Sequence, residues 1–382
     1  MFLRFPTTSS GPNPGSRRRL RRTRTAMLGA ATISLALVTA CGTAQTSLTD
    51  EDAVDFGPTK CPSGELKGAG STAQHNAIDQ VAATYMKVCD ERSTIRYEAA
   101  SNTDGVSAFL AGTADWAGTE VPLTDAQQTA AKARCTAGEA VSLPMVATSV
   151  AVAANLPGVE QLTLSAPALG QILDGRITRW NDPALAALNP GAALPDAQIR
   201  VLAREDANGL ATGLTRYLAD HDAWPTDKVG EEWTGTGEKL GRAGVLSALR
   251  GTPHTLGYVE FSAARDNGLS VARIDSGTGP VALTEDSAAK GLANAELTDT
   301  DGQVRLTPKS RDAAAGAYPI QIVSYQVVCT NGLSPRAKTV LLKDFLGFLA
   351  SDPQQATLGE LGYTPLPQPA RAAVRDAIAR LG

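Results

Sequence analysis

Two long apolar runs rich in β-forming residues, 141–155 and 318–329, stand far apart in a chain of 382 residues. Continuous apolar stretches bounded by turn signals, here Leu156-Pro157-Gly158 after the first, read as strands buried on both faces. Their length suits strands that leave one lobe and enter another. From Glu65 onward, short β-rich runs (66–68, 94–99, 114–118, 200–203, 256–261) alternate with helical ones (73–88, 105–111, 165–173, 183–188, 209–220), which predicts α/β layers. Amphipathic helices are expected at 335–350 and 369–381. Two crossovers set this far apart put both chain ends in one lobe, 59–147 with 324–382, and the middle, 148–323, in the other. That is the layout of a hinged binding protein.

The N-terminus reads as an address. Residues 17–24 are basic, and 26–40 form a small-residue apolar stretch too short to span a membrane comfortably. It ends Val38-Thr39-Ala40-Cys41-Gly42, the pattern in which a Cys is diacylated and becomes the mature N-terminus. The expectation is a signal peptide at 1–40, a lipid on Cys41, a flexible tether over 41–58 and residence on the outer face of the cell membrane.

The first 40 residues hold seven Arg and no acid, so the rest carries 28 basic against 39 acidic residues, a net charge of −11. An acidic body argues against nucleic acid as partner, because phosphate-backbone binding needs clustered Lys and Arg. With Cys41 assigned to lipid, Cys61, Cys89, Cys135 and Cys329 remain. In an oxidising compartment two disulfides are the economical reading, with all three pairings open. No metal site or other cofactor is expected, since His75, His221 and His254 are scattered singly and no CxxC or HxxxH occurs. GxSxG, P-loop and HExxH patterns are also missing, which leaves an enzyme without an evident nucleophile or metal-bound water.

Three places combine Gly or small polar residues with the start of a helix: Gly68-Ala69-Gly70-Ser71-Thr72, Ser101-Asn102-Thr103-Asp104-Gly105, and Arg204-Glu205-Asp206-Ala207-Asn208-Gly209. Taken singly, each reads as ordinary capping. Converging on one cleft, unpaired N–H groups and partial positive charge make an anion site without a basic surface.

These segments, with Phe109-Leu110-Ala111-Gly112-Thr113-Ala114-Asp115-Trp116-Ala117-Gly118-Thr119-Glu120, Leu143-Pro144-Met145, Gly175-Arg176-Ile177-Thr178-Arg179-Trp180-Asn181-Asp182-Pro183 and Gly257-Tyr258-Val259-Glu260, resemble the phosphate-binding lipoproteins of Pst-type phosphate ABC transporters. The resemblance covers nearly all of 61–378. It implies a bilobal class II periplasmic-binding-protein fold, two mixed-sheet lobes joined by two crossover strands. It also implies closure on one inorganic phosphate and delivery to the permease and ATPase subunits of an importer, by a protein that acts as a monomer.

Carried over residue by residue, the family's phosphate contacts fall on Thr72, Asn102, Glu120, Arg204, Asn208 and Gly209, with Asp206 orienting Arg204 and Ser71 alongside. The chain departs from the family where Asn102 and Asn208 replace Ser, Glu120 replaces Asp, Leu210 replaces Thr, and Asp104 stands where Gly or Ala is usual. The family Asp accepts the proton of hydrogen phosphate and so rejects sulfate, which has no proton to offer. Glu120 keeps that acceptor on a longer arm. Leu210 donates nothing from its side chain, and Thr212, two residues on, is turned to another face. Asp104 is expected to bring negative charge near the anion. These departures keep two other readings open: a paralogue for another oxyanion or an organic phosphate, and a surface sensor with a weakened site.

Overall fold

A computed structural model describes residues 59–300, 302–331 and 333–382. The expected signal peptide, the lipidation site Cys41 and the tether lie outside the described residues.

In chain order the first elements are β1 (Gly64–Ser71), α1 (His75–Val88), β2 (Ser93–Ala100), α2 (Asn102–Leu110), β3 (Trp116–Thr119) and α3 (Asp125–Arg134), followed by the long strand β4 (Ala140–Asn155). The middle of the chain supplies β5 (Thr163–Ser165), α4 (Ala166–Leu173), α5 (Pro183–Leu188), β6 (Arg200–Arg204), α6 (Gly209–Asp220), β7 (Glu238–Leu240), α7 (Arg242–Gly251), β8 (Thr255–Glu260) and α8 (Phe261–Asp266). After these come β9 (Arg273–Asp275), β10 (Pro280–Val281), α9 (Glu285–Ala293) and the hairpin β11 (Glu296–Thr300) and β12 (Gln303–Thr307). The chain returns through β13 (Gln321–Cys329) and ends on α10 (Arg336–Leu349), α11 (Asp352–Glu360) and α12 (Gln368–Ala379).

One curled mixed sheet runs through the molecule in the order β2-β1-β3-β13-β4-β8-β6-β7. Burial tracks that order. At the edge, β2 alternates buried Ser93, Ile95 and Tyr97 with exposed Arg96 and Glu98, as a strand with one wet face does. At the centre, every residue of β4 but Asn155 is buried, which accounts for its unbroken apolar sequence. Up to Ser149, β4 pairs antiparallel with β13; from Val150 to Asn155 it pairs with β8. A single strand therefore belongs to both lobes, and its partner β13 slips register between Ser324 and Tyr325. The two-lobed α/β fold expected from the sequence is the one observed.

Two large apolar clusters flank this pair of strands. One gathers Leu66, Ile78, Tyr85, Trp116, Leu143 and Phe345; the other gathers Val152, Leu164, Leu169, Trp180, Leu214 and Tyr258. Ala73, just after β1, packs into the second cluster rather than the first, so the lobes touch at the foot of α1.

The disulfides choose one of the three pairings: Cys61 with Cys89, and Cys135 with Cys329. Both lie on the side of the sheet that holds the C-terminal helices. Local differences from the sequence reading have physical reasons. Residues 318–320 do not extend β13, because Pro319 lacks an N–H and restricts the residue before it. Residues 72–74 form a 3-10 turn before α1 proper begins at His75.

Candidate functional site

Three helix starts converge on the cleft, each with its own cap. Ser71 Oγ accepts from Ala73 N at 3.1 Å, Ser101 Oγ accepts from Asp104 N at 3.0 Å, and Asn208 Oδ1 accepts from Ala211 N at 3.1 Å. Capping of α2 thus falls to Ser101. This frees the buried Asn102 side chain, whose Oδ1 accepts from Glu120 N at 3.1 Å while its Nδ2 has no hydrogen-bond partner. Two glycines set how closely the pieces approach. Gly70 has φ +137°, and a Cβ there would lie 2.1 Å from Gly118 O. A Cβ on Gly209 would lie 2.1 Å from Glu120 Oε2, so the first turn of α6 is pressed against the Glu120 carboxylate.

That contact joins the lobes, since Glu120 follows β3 and Gly209 opens α6. Glu120 is 8 % exposed; its Oε1 accepts from Ser324 Oγ on β13 at 2.8 Å, and Oε2 has no partner. Burial raises its pKa above the ordinary carboxylate value, against the opposing influence of Ser71, Ser324 and Asn102, and the nearby Glu231 carboxylate pushes the same way. A carboxyl inclined to be neutral beside unsatisfied donors is suited to sharing a proton with an anionic ligand.

Arg204 ends β6 with its side chain 4 % exposed. Its Nε donates to Asp206 Oδ1 at 2.6 Å and its Nη2 to Asp206 Oδ2, a bidentate fork. Nη1 lies 3.9 Å from Glu260 Oε1, which is also 3.4 Å from Arg242 Nε. Arg204 is therefore a buried cation held between two carboxylates, with Nη1 hydrogens left over. The parallel register that sets Leu202 beside Gly257 brings the ends of β6 and β8 together and makes this possible. Asn208 has less to give than its amide suggests: Nδ2 donates to Asp206 O at 2.7 Å and its backbone N–H to Glu231 O at 3.1 Å. Thr72 heads the 3-10 turn, half-buried.

The structure brings Ser71, Asn102 and Glu120 together on one side of the contact, and Arg204, Asp206, Asn208 and Gly209 on the other. Three sequence expectations need correction. Asp104 is exposed, its Oδ2 accepting from Ser101 Oγ at 2.8 Å, so its charge sits on the solvent side of the α2 cap. Leu210 points into the second apolar cluster. Thr212 shares the face of α6 that carries Gly209 and Arg216, the i, i+3, i+7 row, and its buried Oγ1 lacks a partner. Three other residues of this neighbourhood had no assigned role: Glu260, Glu231 and Ser324. An acid closing the apolar strand Thr255–Glu260 was the available signal for Glu260. Nothing local distinguishes Glu231 or Ser324, which depend on tertiary placement. Among the described residues no group of three or more His, Cys, Asp or Glu is placed to hold a metal.

Fold and site together have the form of a periplasmic-type binding protein, two lobes meeting at a cradle of helix starts. A family model described as a PBP superfamily domain matches residues 53–353. The phosphate-binding protein PstS 3 of Mycobacterium tuberculosis is 34% identical over 320 residues, which is 82% of this chain and 85% of that protein. PstS 2 of the same organism is 33% identical over 364 residues, 92% and 96% of the two chains. The chain belongs to the PBP superfamily, in the family of the PstS phosphate-binding proteins. A solved phosphate-binding protein from Stenotrophomonas maltophilia matches with a TM-score of 0.62 at 19% identity, over 82% of this chain and 93% of that one. At that identity the likeness is one of fold.

Proposed function

We propose that this protein is an exported solute-binding lipoprotein that captures inorganic phosphate by lobe closure and hands it to the permease and ATPase of an ABC importer. Arg204, Thr72, Asn102, Asn208 and Gly209 donate to the anion, Glu120 accepts its proton, and Asp206 with Glu260 holds the guanidinium in place. The lobes are 59–147 with 324–382, and 148–323, hinged near Thr148 and Ser324. The protein acts as a monomer without enzymatic turnover, tethered through Cys41.

The observation that carries this reading is the contact of the buried Glu120 carboxylate with Gly209, in a chain whose only fully buried arginine among the site residues, Arg204, opens the same segment. A proton acceptor, a helix N-terminus and a fixed guanidinium are the complement of a protonated tetrahedral oxyanion. The relatives named for phosphate binding support the choice of ligand. Among the described residues no helix is long and apolar enough to cross a membrane. Calorimetric titration with phosphate and sulfate is the test: saturable phosphate binding with sulfate at least about 100-fold weaker is expected. Equal binding of the two anions would remove Glu120 from its role.

A further inference from the structure

Two cavities open from the contact between Glu120 and α6, and they differ in charge. One, of about 290 Å³, passes Asn102 and Thr103 and is flanked by Glu231. The other, about 90 Å³, starts at Glu120 and Gly209 and runs between α6 and β12 to Arg216 and Arg305. Thr212 and Arg216 line both, so the two meet there.

Arg216 and Arg305 are exposed, and among the described residues neither guanidinium has a hydrogen-bond or ion-pair partner. Both act electrostatically on the Tyr325 hydroxyl, which places them around one point of the cavity. Between them and Glu120, Thr212 Oγ1 and Gln321 Oε1 are buried without partners. Asp220, the acid of this cavity, has its Oδ2 engaged by the Ser310 hydroxyl at 2.5 Å. Buried polar atoms left unpaired carry a desolvation penalty unless water or a ligand meets them.

We propose that this second cavity is an anion subsite, and that the cleft takes a phosphate bearing a second anionic group, of which inorganic pyrophosphate is the simplest. This rests on the reading above: the first phosphoryl group sits at Arg204 and Gly209. The second reaches past the Thr212 hydroxyl to Arg216 and Arg305. The Glu231 branch repels a second anion, so the arginines fix its direction. Arginine pairs recognise planar or tetrahedral oxyanions through paired N–H donors, which a single extra charge on a flexible surface does not reproduce.

The test is calorimetry on the purified full chain with phosphate and pyrophosphate, using wild type, the double variant R216A/R305A and the charge-keeping R216K/R305K. Pyrophosphate is expected to bind at least about 10-fold more tightly than phosphate in wild type. The alanine variant should lose that advantage while its phosphate affinity stays within about 3-fold, and the lysine variant should recover part of it. Equal affinity for the two anions in wild type overturns the subsite, as does a variant in which both affinities fall together, the mark of general electrostatic steering. If neither anion binds wild type, the phosphate reading fails as well, and the two failures are told apart.

Discussion

Arg204 shows what sequence can and cannot say about a residue. Its type and spacing to Asp206 were legible, because a guanidinium two residues from a carboxylate before a helix start is a local pattern. Its burial between Asp206 and Glu260 was not, since Glu260 arrives from a strand some fifty residues away. The same distance hid Ser324, which meets Glu120 across the hinge strands. Arg204→Ala is expected to weaken phosphate binding by about 2–5 kcal/mol, on the order of 30- to several-thousand-fold in Kd by calorimetry, because it also strands two buried carboxylates. Glu120 yields a prediction in pH. Its folded pKa is raised, so the stability it contributes is fully present below the ordinary carboxyl value of 4.5 and is lost as pH rises through the raised value. Without ligand, wild type should lose thermal stability relative to Glu120→Gln as pH climbs from about 5, and the two melting profiles should converge below about pH 4. Parallel profiles across that range would mean the carboxyl is not the titrating group.

Elements were read well where an apolar stripe or a cap announces them, as for α6, whose limits match the expectation at both ends. Helix α3 offers only Ala131 to the interior and α11 buries Gln354 and Gln355, so neither shows the periodicity that reveals a helix. The start of α6 is where an element and the ligand meet. Gly209→Ala places a methyl group where Glu120 Oε2 now lies, so the carboxylate must swing aside or the helix must retreat. An overpacking penalty of about 1–3 kcal/mol in thermal or denaturant unfolding is expected, with phosphate affinity falling at least about 10-fold. Ser71→Ala removes a cap from the turn before α1 and should lower stability by about 0.5–2 kcal/mol, with a smaller effect on affinity than Gly209→Ala.

For the whole molecule, the pair of buried strands was enough to place both chain ends in one lobe, because a strand apolar throughout must be covered on both faces wherever it runs. How far the lobes approach each other, and which carboxylates face one another across the gap, depends on side chains such as Ala73 and Glu231 whose sequence surroundings are unremarkable. If closure and binding are one equilibrium, saturating phosphate should raise the unfolding free energy by about 2.7 kcal/mol at a ligand concentration of 100 times Kd. The increase should appear in wild type by calorimetric or fluorescence melting and be absent in Arg204→Ala.

Asp344 on α10 accepts from the Thr59 hydroxyl and from the backbone N–H groups of Lys60 and Cys61, and the Cys61–Cys89 bridge fastens the same stretch to the end of α1. A pull on the chain ahead of Thr59 is therefore borne by two helices before it reaches β1, and none of it enters the middle segment that carries Arg204 and Gly209. Tension at the anchoring end and the grip on cargo are mechanically separate, so a molecule tugged by the surface it hangs from keeps its hold unchanged.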